Sequence, residues 1–149
     1  MHISAAHSSD IPALCELLHI LFSLEADFTP DYPAQSRGLT RIIDNPESGQ
    51  IIIARQDQQI IGMVSLLFTV STALGADVAL LEDLVVMPEA RNSGTGSKLL
   101  AHAIELARLR GCQRITLLTD HGNEAAQRFY QRHGFCPSAM IPLRLMLNG

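Results

Sequence analysis

Residues 75–118 read GADVALLEDLVVMPEARNSGTGSKLLAHAIELARLRGCQRITLL. They hold an apolar run closed by a proline, a glycine-rich loop, an amphipathic helix pattern and a second apolar run. Pro88 cannot donate to a ladder and ends the first strand. Gly111 stops the helix, and the next strand starts at once. A strand, helix and strand joined this tightly make parallel neighbours with a right-handed crossover. The sheet must therefore contain a parallel pair.

The rest of the chain adds antiparallel pieces and helices. SSDIPALCELLHILFSLE reads as a helix, with Ser9 or Asp10 to cap it, Pro12 in its first turn, and Ile11, Leu14, Leu17, Leu18 and Leu21 at helical spacing. ADFTPDYPAQSRG reads as a loop, with a short helix after it in RGLTRIIDNP. GQIIIARQDQQIIGMVSLLFTV reads as two antiparallel strands around a polar RQDQQ turn. NEAAQRFYQRHG is a helix stopped by Gly134, and FCPSAMIPLRLMLNG carries one or two final strands. The expected fold is α/β (α+β), a mixed and mostly antiparallel central sheet flanked by helices. Residues 1–149 are expected to form one domain.

The glycine loop is the candidate binding element. N–H groups at a helix N-terminus have no intrahelical acceptor, and the helix dipole adds positive charge there. Gly94 and Gly96 leave those groups open to a ligand, which suits a phosphate. Arg91 and Lys98, the one lysine in the chain, flank the loop. The P-loop spacing fails because no glycine is followed by Lys-Ser or Lys-Thr. The dinucleotide pattern fails because leucine stands at its third glycine. A turn that only lets helix and strand pack closely would look the same.

Composition excludes several classes. The net charge of −4 argues against a nucleic-acid surface but suits a cationic substrate. Cys15, Cys112 and Cys136 lie far apart and build neither a disulfide framework nor a zinc site. No HxxxH pair points to a metal. The N-terminus lacks a cationic region, and no run reaches membrane-span length. A soluble, cytoplasmic protein without metal, membrane or nucleic-acid partners is expected.

LVVMPEARNSGTGSKLL resembles the acyl-CoA-binding segment of the GNAT superfamily of N-acetyltransferases. That segment has Arg or Gln, two residues, Gly, one residue, then Gly or Ala. Here Arg91, Gly94 and Gly96 fill it, with Leu84, Val86 and Pro88 in register ahead of it. A second block lies about thirty residues on, at Asn123, Ala126, Phe129-Tyr130 and Gly134-Phe135. The similarity spans roughly residues 80–135. Asn92 departs from it, because glycine is usual there; Asn tolerates left-handed backbone.

The resemblance implies direct transfer of an acetyl group from acetyl-CoA to a primary amine, with no covalent enzyme intermediate. It assigns the pyrophosphate to Arg91, Asn92, Ser93, Gly94, Thr95, Gly96 and Ser97. It assigns the pantetheine arm to the backbone of Leu84, Val85 and Val86 and to the Asn123 side chain. Tyr130 takes the position that protonates the thiolate. The acceptor ammonium must lose a proton, which a carboxylate can take. Glu82 is chosen if the strand is regular, because it then shares a face with Leu84 and Val86; a bulge would favour Asp83. Phe22, Glu25, Phe28 and Tyr32, with Asp83, form the expected acceptor side, suited to a cationic, polyamine-like amine. Protein N-termini and amino acids remain alternative acceptors, and a CoA-binding sensor without turnover is the alternative of another class. The family habit and the apolar C-terminus imply a homodimer.

Overall fold

The computed structural model describes residues 1–24 and 29–147. They fall into two compact units, Met1–Leu118 and Thr119–Gly149. The first holds one five-stranded sheet: β1 (His2–Ala5), β2 (Gly49–Gln56), β3 (Gln59–Ser71), β4 (Ala76–Val86) and β5 (Ile115–Leu117). The strands lie in chain order. Neighbours are antiparallel except β4 and β5, which are parallel. The mixed, mostly antiparallel sheet expected from the sequence is thus observed, with its parallel pair on either side of the amphipathic helix α3 (Thr95–Leu109).

The β2–β3 hairpin turns on Asp57 and Gln58, both left-handed at φ 51° and 65°. Two such residues match the right-handed twist of the strands they join. The helix α1 spans Ile11–Phe22, with Pro12 in its first turn. The helix α2 runs Tyr32–Ile43, starting well before the short helix the sequence suggested. Pro33 belongs to its first turn, where a missing N–H costs nothing. Asp31 caps it, its Oδ1 accepting from the Ala34 N–H at 3.0 Å.

Alternation along the strands gives the sheet two covered faces. Ile51, Ile53, Met63 and Val85 join Leu14, Leu17 and Leu18 of α1 and Leu39 of α2 in one buried cluster. The opposite face presents Ile52, Val64 and Leu66, buried like Leu99, Leu100 and Ala103 of α3. Gly62 permits that approach: a Cβ there would stand 2.9 Å from Leu99 Cδ1 and 3.2 Å from the Val85 carbonyl oxygen. Arg110 ties the far end of α3 down. Its Nη1 and Nη2 donate to the carbonyls of Pro46 and Glu47 at 2.9 and 2.8 Å, and its guanidinium lies 4.0 Å from the Phe68 ring centre.

Two sequence expectations need correction. The chain begins with a strand, β1, rather than a helix; four residues are too few to show a period. Residues 135–147 form no strand. Met140, Ile141, Leu143, Leu145, Met146 and Leu147 are all exposed there. A strand exists only against a partner, and the described residues of this unit contain no other strand. The second unit's regular element is α4, Glu124–Arg132.

Candidate active site

The glycine loop joins the end of β4 to α3. A short 3-10 turn, Pro88–Ala90, leads out of the strand. Asn92 then takes φ 63° and Gly94 φ 84°. Asn92 thus supplies the left-handed conformation with a side chain that tolerates it. Gly94 is the N-cap of α3 and, having no side chain, caps nothing. The Lys98 N–H bonds to the Gly94 carbonyl at 3.0 Å. Among the described residues the N–H groups of Thr95 and Gly96 have no acceptor. Unpaired N–H groups, the helix dipole and a bare approach together make an anion site.

The loop's side chains brace it from below. Arg91 Nε donates to the Val86 carbonyl at 3.1 Å, so this arginine fixes the loop to the strand end. Ser93 Oγ donates to the Ala90 carbonyl and lies 2.9 Å from Thr95 Oγ1. Thr95 is buried. The hydroxyls of Ser93 and Thr95 therefore shape the turn.

Strand β4 is irregular where the two adjacent carboxylates lie. Ser65 pairs with Glu82 and Met63 with Val85. Asp83 and Leu84 thus oppose Val64 alone, a bulge with Asp83 at φ 56°. The regular-strand premise for Glu82 does not hold. Cross-strand pairing sets its face instead: Glu82 shares the α1–α2 side of the sheet with Ser65 and Val85. Glu82 is exposed there, and Asp83 and Leu84 are half-buried. On its other edge β4 pairs with β5 only from Ala79 to Leu81. From Glu82 to Val86 that edge has no strand partner among the described residues.

Phe22 ends α1 and packs against the cluster under the α1–α2 side. Tyr32 opens α2 and is exposed. Glu25 and Phe28 lie outside the described residues. An open cavity of about 380 Å³ at the hairpin end of the sheet, lined by Asp10, Glu16, Arg55 and Met87 among others, contains none of the expected site residues. Both Asp10 oxygens are engaged there, by Arg55 Nη2 at 3.0 Å and the His7 N–H at 2.8 Å.

In the second unit, Asn123 is the N-cap of α4, its Oδ1 accepting from the Ala126 N–H at 3.1 Å. The Asn-x-x-Ala spacing is thereby a capping device, and among the described residues the Asn123 amide NH₂ has no acceptor. Tyr130 is half-buried and stacks edge-on against Phe129 and Phe135, with centroids 5.3 and 5.8 Å away. Burial raises its pKa above the ordinary value of 10.0, so the phenol stays protonated.

A family model described as Acetyltransferase (GNAT) family matches residues 14–135. The chain is 32% identical over 138 residues to YhfO, an uncharacterized N-acetyltransferase of Bacillus subtilis (strain 168), covering 91% of this chain and 89% of the relative. It is 29% identical over 136 residues to the aminoalkylphosphonate N-acetyltransferase of Salmonella typhimurium, covering 85% and 88%. Among solved structures, a transcriptional regulator from Bacillus halodurans C-125 matches with a TM-score of 0.84 at 28% identity, covering 98% of this chain and 99% of that one.

Proposed function

We propose, for a chain that belongs to the GNAT family and is an acetyl-CoA-dependent acyltransferase, that it acetylates the primary amine of a small cationic acceptor by direct transfer. One observation carries this reading: an uncapped helix mouth at the end of a strand whose outer edge, from Glu82 to Val86, has no strand partner among the described residues.

The residues fit the cosubstrate. The N–H groups of Thr95 and Gly96, with those of the loop from Asn92 through Ser97, suit a pyrophosphate, and Lys98 and Arg91 add positive charge. The open backbone of Leu84, Val85 and Val86 suits a pantetheine arm, which carries amides of its own; Asn123 is proposed for the same arm from sequence alone. When bound, acetyl-CoA supplies an acyl thioester. Glu82 accepts the proton that the acceptor ammonium must lose, since a primary amine with a pKa near ~10 arrives charged. The freed amine attacks the thioester carbonyl; from sequence alone, Tyr130 is proposed to donate its proton to the departing sulfur and to recover one from the acylated nitrogen, which leaves a neutral amide and a neutral phenol. Asp83, set by the bulge beside Glu82, and Phe22 line the acceptor side; Glu25 and Phe28 are proposed for the same side from sequence alone.

Similarity to an aminoalkylphosphonate N-acetyltransferase supports a small amine as acceptor. The free thiols Cys15, Cys112 and Cys136 suit a reducing cytoplasm, and no helix among the described residues could cross a membrane. The family match extends over both units, which supports one working domain. The exposed apolar residues from Met140 to Leu147 support a homodimer.

The test is thiol release from acetyl-CoA with 1,4-diaminobutane, an aminoalkylphosphonate, free amino acids and a peptide N-terminus. Release with a small amine is expected. Release with the peptide alone would overturn the acceptor class, and binding without release from any amine would favour a sensor.

A further inference from the structure

Alternate residues of a strand share a side, so β2 carries Ile51, Ile53 and Arg55 on one face. The two isoleucines lie in the buried cluster under α1 and α2. Arg55 therefore rises from the hairpin end of that same face, opposite Ile60. Asp10, Ala13 and Glu16 are spaced three apart at the start of α1 and stack along one side of it. Between this stripe and the hairpin lies the open cavity of about 380 Å³, a size that small-molecule sites share. Ala13 offers only a methyl group there, where a longer side chain would fill the space.

The lining divides by chemistry. Ala13, Ile60 and Met87 belong to the buried cluster or pack against it, and they supply an apolar wall. Arg55 and Glu16 supply opposite charges. Asp10 holds the arginine still: its Oδ1 accepts from Arg55 Nη2 at 3.0 Å, and its Oδ2 from the His7 N–H at 2.8 Å. Among the described residues that is the one hydrogen bond of a guanidinium with five donors. Glu16 is exposed, and among the described residues its carboxylate has neither hydrogen bond nor ion pair. Asp10 already offsets the charge of Arg55, so the cavity carries the net negative charge of Glu16. A simple anion is disfavoured there.

We propose that this cavity binds a free α-amino acid with an apolar side chain. The spare donors of Arg55 take the carboxylate, Glu16 takes the ammonium, and the side chain lies on Ala13, Ile60 and Met87. Asp10 is a positioning residue for the guanidinium. The cavity shares no lining residue with the transfer site proposed above. Met87 stands five residues beyond Glu82, about 15 Å along the line of β4. Binding here is therefore independent of which amine accepts the acetyl group.

Calorimetric titration of L-leucine into the full chain, alone and with saturating CoA, tests the proposal. Two probes remove one charge each: 3-methylbutylamine is leucine without its carboxylate, and 4-methylpentanoate is leucine without its ammonium. Glu16→Gln removes the ammonium partner at an exposed position. Arg55→Lys keeps a charge beside Asp10 but loses the fork. The account expects one leucine per chain, with CoA present or absent. It expects at least tenfold weaker binding of either probe, and of leucine by either variant, the scale of one charge-assisted hydrogen bond. Both variants should keep the wild-type rate of thiol release from acetyl-CoA with 1,4-diaminobutane. No leucine binding by wild type up to about 10 mM overturns the proposal. Equal leucine affinity in wild type and a folded Glu16→Gln also overturns it. Displacement of leucine by CoA, or thiol release with leucine that Glu16→Gln abolishes, would place the amino acid in the transfer site and overturn it as well.

Discussion

Gly62→Ala adds one methyl where α3 rests on the sheet. That carbon would stand 2.9 Å from Leu99 Cδ1, 3.2 Å from the Val85 carbonyl oxygen and 3.4 Å from Val86 Cγ2. Leu99 is fully buried and the Val85 oxygen is backbone, so α3 or β4 must give way. Overpacking of this kind costs about 1–3 kcal/mol. The lower entropy of the unfolded Ala chain returns about 0.4–1 kcal/mol. A net loss of about 1–2 kcal/mol should lower the melting temperature by about 2–8 °C in a chain of this length. Urea unfolding of a double-mutant cycle with Leu99→Val measures the coupling. The shorter side chain makes room, so Gly62→Ala should cost at least about 0.5 kcal/mol less in that background. Additive costs, or a Gly62→Ala protein as stable as wild type, would refute the packing argument.

Arg110→Ala should cost about 1–3 kcal/mol in urea unfolding, because it removes two hydrogen bonds that join the end of α3 to the segment before β2 and a ring contact with Phe68 of β3. Tyr130 binds its proton more tightly folded than unfolded. Its contribution to stability is fully present below about pH 10 and is lost as pH rises further. Tyr130→Phe should therefore flatten the fall in melting temperature above pH 10, and should lower kcat far more than acetyl-CoA affinity. The Cys112 thiol is raised above its ordinary value, first by burial and then by Asp77. Mass spectrometry after iodoacetamide at pH 8 should find Cys136, which is exposed, alkylated before Cys112.

Much of the fold was legible where one period or one turn residue decides the outcome. Pro88, the glycine loop and Gly111 bracket α3, and their spacing forced the parallel pair. The β2–β3 turn showed as a polar break between two apolar runs. What hid from the sequence was tertiary in origin. β1 is a strand because β2 accepts it, from His2 opposite Arg55 to Ala5 opposite Ile52. Tyr32 and Pro33 read as loop because their helical role depends on Asp31 capping them. The register shift beside Glu82 and Asp83 is one that no residue type announces.

The account stands or falls on the mouth of α3 as the pyrophosphate site. Calorimetric titration of acetyl-CoA into wild type and Gly94→Glu tests it, with melting temperatures as the control for folding. Gly94 has φ 84° and open space around a built Cβ, so the substitution brings backbone strain of about 1–2 kcal/mol and no clash. It also places a carboxylate at the anion site. The account predicts one acetyl-CoA per chain in wild type and at least a hundredfold weaker binding by a folded Gly94→Glu, equal to about 2.7 kcal/mol. No binding by wild type, or equal affinity in the two proteins, would contradict it.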